Sequence, residues 1–170
     1  HIREGDGSLD RWLNPLADAL KAAGIKSVKG PLVLDATGFE KPGPPPLWPA
    51  PSAHWQAYCA LSGGFTANGG VFRVTVSPHG GKANEVLRPR YHGLERKGSV
   101  SVKGKKNSLR VGANTASVTV GGSVPAKMDT YVTEFRHPSP TQLFAESILG
   151  GLEARGIRLD DRRVAEGTVG

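Results

Sequence analysis

LKAAGIKSV at residues 20–28 returns near the other end of the chain as LEARGIRLD at residues 152–160. Each stretch reads as the last turn of a helix, a Gly-Ile stop, a basic residue and the start of a strand. Upstream of the first, Leu9, Trp12, Leu13, Leu16, Ala17, Leu20 and Ala23 recur at helical spacing, so a helix is expected over 8–24, with Ser8 as N-cap and Gly24 as the stop. Upstream of the second, Leu143, Phe144, Ile148 and Leu152 form one face of a helix over 139–155, with Pro140 in its first turn and Gly156 at its end. Two matching helix-strand units at the ends imply a chain that leaves a sheet and returns to it.

Between them the pattern is β. From Ile25 to Asp35 a strand with a Gly-Pro interruption is expected, with Leu32-Val33-Leu34 as its buried part; Asp35 ends it in the style of a catalytic carboxylate, although an Asx turn is the commoner role for a strand-end Asp. KPGPPPLWPAPS (41–52) holds six of the thirteen prolines and reads as an extended surface loop, with Phe39 and Trp48 as possible anchors. Residues 54–62 read as a short helix or a buried turn. VFRVTVSP (71–78) alternates with period two, and strand-like runs follow at 84–88, 97–103, 108–112, 116–121 and 129–135. SVSVKGKKNSLRV (99–111) is a hairpin candidate with its turn near Gly104–Asn107. The expected fold is mixed α+β: two helix-strand units at the ends packing on a sheet, around a β-rich antiparallel middle. The expected organisation is one helix-plus-sheet domain from 1–70 and 129–170, with a small β-rich subdomain, 71–128, inserted in it.

The formal charge is +7 and the isoelectric point near 9.8. Between Lys82 and Arg110 there are nine basic residues against Glu85 and Glu95, whereas the rest of the chain balances at 13 of each sign. The window therefore carries the whole imbalance, and Arg88, Arg90, Lys97, Lys103, Lys105, Lys106 and Arg110 are candidates for a polyanion-binding patch. The competing reading is a set of solvated strand edges, where lysine also deters edge-to-edge pairing. Nucleic acid is disfavoured as the polyanion, because single strands need stacking aromatics and only Tyr91 and His92 lie within the window.

Catalytic patterns are missing. No Gly-x-Ser-x-Gly, Ser-x-x-Lys, Ser-x-Asn, Lys-Thr-Gly or Lys-Ser-Gly occurs, so no serine has an advertised base and no catalytic residue is assigned. The five histidines (1, 54, 79, 92 and 137) lack metal spacing, and His79 and His137 read as turn or surface residues. Cys59, the single cysteine, excludes an internal disulfide and reads as a small buried residue. The Gly-Gly pairs and Gly5-Asp6-Gly7 lack the Gly-Lys-Ser/Thr of a phosphate loop. Neither a cofactor nor a metal is expected. No run reaches the roughly 18 apolar residues of a membrane span, and the first residues do not read as a signal peptide.

Taken in order, the pieces resemble the D-alanyl-D-alanine carboxypeptidase/endopeptidase family, the class C penicillin-binding proteins. REGDGSLDRWLNPLADALKAAGIKSVKGPLVLDATGFE is similar to a family stretch that runs from Gly-Asp-Pro through a helix to Gly-Ile and a Leu-Val-Leu-Asp strand. Gly30, Leu32, Val33, Leu34, Asp35 and Phe39 sit where that pattern wants them. LWPAPSAHWQAYCALSGGFTANGGVFRVTVSP, residues 108–135 and HPSPTQLFAESILGGLEARGI resemble the segments that follow. Departures are Gly-Asp-Gly-Ser for Gly-Asp-Pro, Thr37-Gly38 in place of a serine, and an imperfect run from Ser62 to Asn68.

In that family the Ser-x-x-Lys pair precedes such a segment, and Ser-x-Asn and Lys-Thr-Gly follow it. The resemblance therefore implies an accessory insertion of a serine peptidase of peptidoglycan metabolism, found here without its catalytic host. It implies a periplasmic or extracytoplasmic location, and as partners the missing catalytic domain and peptidoglycan or another wall polymer.

Overall fold

A computed structural model of the chain describes residues 2–3, 7–41, 43–61 and 63–168. Gly5 and Asp6 of the Gly-Asp-Gly run, His1, and Ser62 of the Ser62–Asn68 run lie outside them. The fold is mixed α+β, as the sequence predicts. Helix α1 spans Ser8–Ala22 and α2 spans Pro140–Glu153. Ser8 is the first helical residue and not the cap. Gly7, at φ +76°, caps the helix, and the Ser8 hydroxyl instead exchanges hydrogen bonds with the Arg3 main chain. At α2 the cap is Ser139, whose hydroxyl accepts from Gln142 N at 3.2 Å, with Pro140 following where a missing N–H is harmless.

The echoed units meet directly. Strand β1 (Ser27–Val28) pairs in parallel with β10 (Arg158–Leu159), and β2 (Leu32–Leu34) in parallel with β11 (Val164–Glu166). The helices lie against one another over the same strands: Leu9, Leu13 and Ala17 of α1 share a buried cluster with Ile148, Leu152 and Ile157, and Val28 and Leu159 pack onto it. The Cβ that Gly151 lacks would fall 2.3 Å from Leu13 Cδ1, so a side chain there would push the helices apart.

The middle is a two-layer β structure. β3 (Val71–His79) pairs antiparallel with β4 (Lys82–Arg88) through a two-residue turn, Gly80–Gly81, with both residues at positive φ. β9 (Tyr131–Arg136) pairs antiparallel on the other side of β3. Against this sheet packs a second one built on β8 (Ser117–Val124), which pairs with β5 (Glu95–Lys97), β6 (Val100–Val102) and β7 (Arg110–Ala113). Phe72, Val74 and Val76 of the first sheet meet Val118, Val120 and Val124 of the second, all fully buried.

The expected hairpin at 99–111 is not formed. β6 runs parallel to β8 and β7 antiparallel to it, and the two do not pair with each other. The reason lies in burial: the valines of β8 are buried, so β8 takes the central position. The connecting loop crosses to it at Ser108, which bonds the Ser123 main chain at 2.9 Å. Gly122, at φ +109°, lets Ser108 O approach a point where a Cβ would sit 2.3 Å away. The run expected at 97–103 is also divided at Gly98, yet Glu95 opposes Ser117 and Val100 opposes Gly122, so both parts keep one register along β8. Residues 51–53 and 57–59 form single 3₁₀ turns, resolving the open reading of 54–62. Trp48 is half-buried as an anchor, and Phe39 is more exposed but lies edge-on to Phe65 at 5.8 Å.

Candidate functional site

The structure separates the cationic residues of the window into three groups: Arg96, turned into the fold; an exposed set that includes Lys82 and Lys97; and a pair beside a cleft. Arg96 turns inward onto Glu85, its Nε donating at 2.9 Å, and so serves the fold. Lys97 makes an exposed ion pair with Glu95 at 3.0 Å. Lys103, Lys105 and Lys106 stand exposed on the loop between β6 and β7, and Arg110 opens β7 with its side chain in solvent. None of these last four enters an ion pair among the described residues. Arg88 and Arg90 form the third group and sit on the wall of a cleft of about 1030 Å³.

That cleft is built from parts far apart in sequence. Its sheet wall is the outer face of β3, β4 and β9: because Phe72 and Val74 point into the core, the alternate Val71 and Arg73 point away from it. Arg73 opposes Arg88 across β3–β4 and Glu134 across β3–β9, and its Nε donates to Glu134 Oε1 at 2.7 Å. The helical wall comes from the start of α1, with Leu9 and Asp10, and the end of α2, with Gly151, Ala154 and Arg155. Arg155 is held by three acceptors: Gly151 O at 2.8 Å, Asn14 Oδ1 at 2.8 Å, and the Asp10 carboxylate. A left-handed run, Asn68–Gly69–Gly70, also reaches the cleft, through Asn68 and Gly69.

The segment carrying Arg90 is fixed along its length. Pro89 is buried, and the Tyr91 ring lies on Gly150, where an added Cβ would fall 2.3 Å from Tyr91 Cγ. The next carbonyl, His92 O, lies 2.8 Å from Nε2 of His137. His137, read from sequence as a turn or surface residue, is in fact fully buried between the sheet and α2. Its place against Phe72 explains the difference: the ring fills the core edge-on to that aromatic. Burial pushes its pKa below the ordinary histidine value, although the His92 and Ser139 backbone groups pull the other way. Nε2 lies 2.8 Å from His92 O and Nδ1 2.6 Å from Ser139 O, and the neutral ring, with a single N–H, donates to one of these two carbonyls.

Among the described lining residues the charged side chains are five arginines, Asp10 and Glu134, with no serine, cysteine, histidine or lysine. Sequence reading placed Arg88 and Arg90 in a surface patch and did not find Arg3, Arg73 or Arg155 beside them. The only available signal was the alternation of VFRVTV, which puts Arg73 opposite the core-facing positions. Among the described residues no group of three or more His, Cys, Asp or Glu could hold a metal ion, and no helix is long and apolar enough to cross a membrane.

Residues 2–168 match the D-Ala-D-Ala carboxypeptidase 3 (S13) family. Comparison with curated proteins gives no match. Among solved structures the chain is similar to penicillin binding protein 4 (dacB) from Haemophilus influenzae. The TM-score is 0.64 at 18% identity, over 97% of this chain and 36% of that one. The same protein complexed with a novel β-lactam aligns with a TM-score of 0.51 at 17% identity, over 99% of this chain and 35% of that one. At these identities the likeness is one of fold, and the chain spans about a third of the length of those structures.

Proposed function

The chain belongs to the D-Ala-D-Ala carboxypeptidase 3 (S13) family, and from this premise we propose that it is the non-catalytic accessory segment of a penicillin-binding-protein-like D-Ala-D-Ala carboxypeptidase/endopeptidase. The parent would be a serine peptidase of peptidoglycan metabolism, working in the periplasm or elsewhere outside the cytoplasm. The observation that carries this reading is a combination. Nearly the whole chain superposes on about a third of a penicillin binding protein, and its sequence holds none of the Ser-x-x-Lys, Ser-x-Asn and Lys-Thr-Gly motifs. In this reading residues 1–70 and 129–170 form the accessory domain and 71–128 its inserted β-rich subdomain, with β9 of the outer part sharing a sheet with β3 of the inner. The catalytic domain of the parent is then its first partner.

Exposure of the purified chain to a fluorescent β-lactam tests this. No covalent label and no D-alanine release from a pentapeptide are expected, because acylation needs a serine activated by an adjacent base. Stoichiometric labelling overturns the proposal.

One observation favours a second reading, a basic β-module that binds a polyanion. Lys103, Lys105 and Lys106 project from one short loop, and no acidic partner engages them among the described residues. Wall polymer suits this role better than nucleic acid, since the loop has no aromatic residue on which a base could stack.

A further inference from the structure

We propose that the pocket between Trp55, β7 and the end of β9 binds a saccharide that bears a carbonyl oxygen beside its ring, in an acetamide or a carboxylate. The proposal goes beyond the accessory-segment reading and stands whichever way β-lactam labelling falls. The pocket, of about 570 Å³, shares no described lining residue with the arginine-lined cleft. Its walls are the turn carrying Trp55, β7 with the Asn114–Thr115 turn that follows it, and Phe135 and Arg136 at the end of β9.

Arg136 points to a ligand. Its Nε is buried without a hydrogen-bond partner, and no carboxylate among the described residues pairs with the guanidinium or lines the pocket. A buried donor left unpaired costs the fold its desolvation, so it calls for a reason outside the protein's own packing. A ligand oxygen set against the outer guanidinium nitrogens supplies the charge-assisted bonds that the fold leaves out. Asn114 adds a second donor. Its Oδ1 accepts from Ala116 N at 2.9 Å and Ser117 N at 2.8 Å, two groups that can only donate. The oxygen end of the amide is thereby fixed, and its NH₂ end, which bonds nothing among the described residues, is left for a ligand.

Trp55 supplies the apolar surface. Its indole is half exposed and lies on Phe135 at 5.5 Å, while Trp55 O accepts from Arg136 N at 3.0 Å. Ring and guanidinium are thus held next to one another before any ligand arrives. A flat apolar face beside two unused N–H donors fits a sugar, whose C–H face lies on the indole while the oxygens of its rim meet the donors. Because guanidinium and amide both offer N–H, the rim substituent that suits them best carries a carbonyl oxygen. The volume of about 570 Å³ falls within the roughly 300–1,000 Å³ of small-molecule sites, where aromatic walls and a few placed polar groups are the usual make-up.

Calorimetric titration of the intact chain tests the site with tetra-N-acetylchitotetraose, with tetragalacturonate, and with cellotetraose, which has neither amide nor carboxylate. Saturable binding of at least one of the first two is expected, tighter than that of cellotetraose, and the tighter of the pair tells acetamide from carboxylate. Arg136→Met should lose at least about tenfold in affinity, the worth of a hydrogen bond to a charged group. It should also resist urea at least as well as the wild type, since this guanidinium bonds nothing within the described protein. Trp55→Ala should bind several-fold more weakly; where it does not fold, Trp55→Phe, with its smaller ring, should also bind more weakly. Absence of saturable binding by all three saccharides overturns the proposal. So does cellotetraose binding as tightly as the other two, unchanged affinity in the Arg136 and Trp55 variants, or a nucleoside monophosphate that outbinds every saccharide. An Arg136→Met chain that unfolds more readily than the wild type would make the side chain structural and overturn it as well.

Discussion

Nε of Arg155, at the end of α2, donates to Oδ1 of Asn14 in α1 at 2.8 Å, joining residues 141 apart in sequence. The same guanidinium also holds Asp10, and its side chain is only 19% exposed. Replacing Arg155 by Ala should therefore destabilise the fold by about 1–3 kcal/mol, the usual cost of losing hydrogen bonds to a charged group. In a double-mutant cycle with Asn14→Ala, urea unfolding should return a coupling of about 1 kcal/mol, as for neighbours in one network. Strict additivity would mean that the contact does not tie the helices.

Gly150 is the point where α2 meets the segment that positions Arg90. A methyl group there would sit 2.3 Å from Tyr91 Cγ, well inside contact distance, so the ring must move. Gly150→Ala should cost about 1–3 kcal/mol through overpacking, despite alanine's better helix propensity. A variant as stable as wild type in chemical denaturation would contradict this packing.

His137 makes stability depend on pH. Burial lowers its pKa in the folded state below the ordinary 6.5, so between the two values the unfolded chain binds a proton that the folded chain refuses. Stability attributable to this residue is complete above about pH 6.5 and is lost as pH falls toward the folded value. His137→Gln should flatten the slope of unfolding free energy against pH in the acid range. Identical slopes for the two proteins would rule the effect out.

The exposed lysine loop gives a further test of the polyanion reading. If Lys103, Lys105 and Lys106 dock the chain to anionic wall polymer, reversing all three to Glu should abolish sedimentation with purified sacculi without changing the fold. Wild-type binding should fade once salt shortens the screening length to about 8–10 Å or less. Equal retention of both proteins would make the loop an ordinary solvated edge.

Much of the fold is legible in the sequence wherever local chemistry decides it. The apolar period of Leu9, Leu13 and Leu16, the stops at Gly24 and Gly156, Pro140 after Ser139, and the alternation of VFRVTV each act within a few residues. Asp35 also turns the chain as its position suggests, accepting from Thr37 N and Oγ1. Partner choice among short strands is set by burial across the whole domain, which is why β6 and β7 both join β8 in place of forming a hairpin. The cleft was even less accessible to sequence reading. Its arginines come from the N-terminal segment, β3, β4, the following loop and the end of α2, and only folding brings them together.

The parallel pairs β1–β10 and β2–β11 impose a timetable on the chain. During synthesis, residues 27–34 emerge and then wait, because their partners at 158–166 follow only about 130 residues later. The hairpin of β3 and β4 closes through Gly80–Gly81 with no such delay, and neighbouring segments can add to it as they appear. Until α2 arrives, Leu13 and Ala17 of α1 have no opposite surface to bury against, leaving an apolar stripe in need of protection on the ribosome.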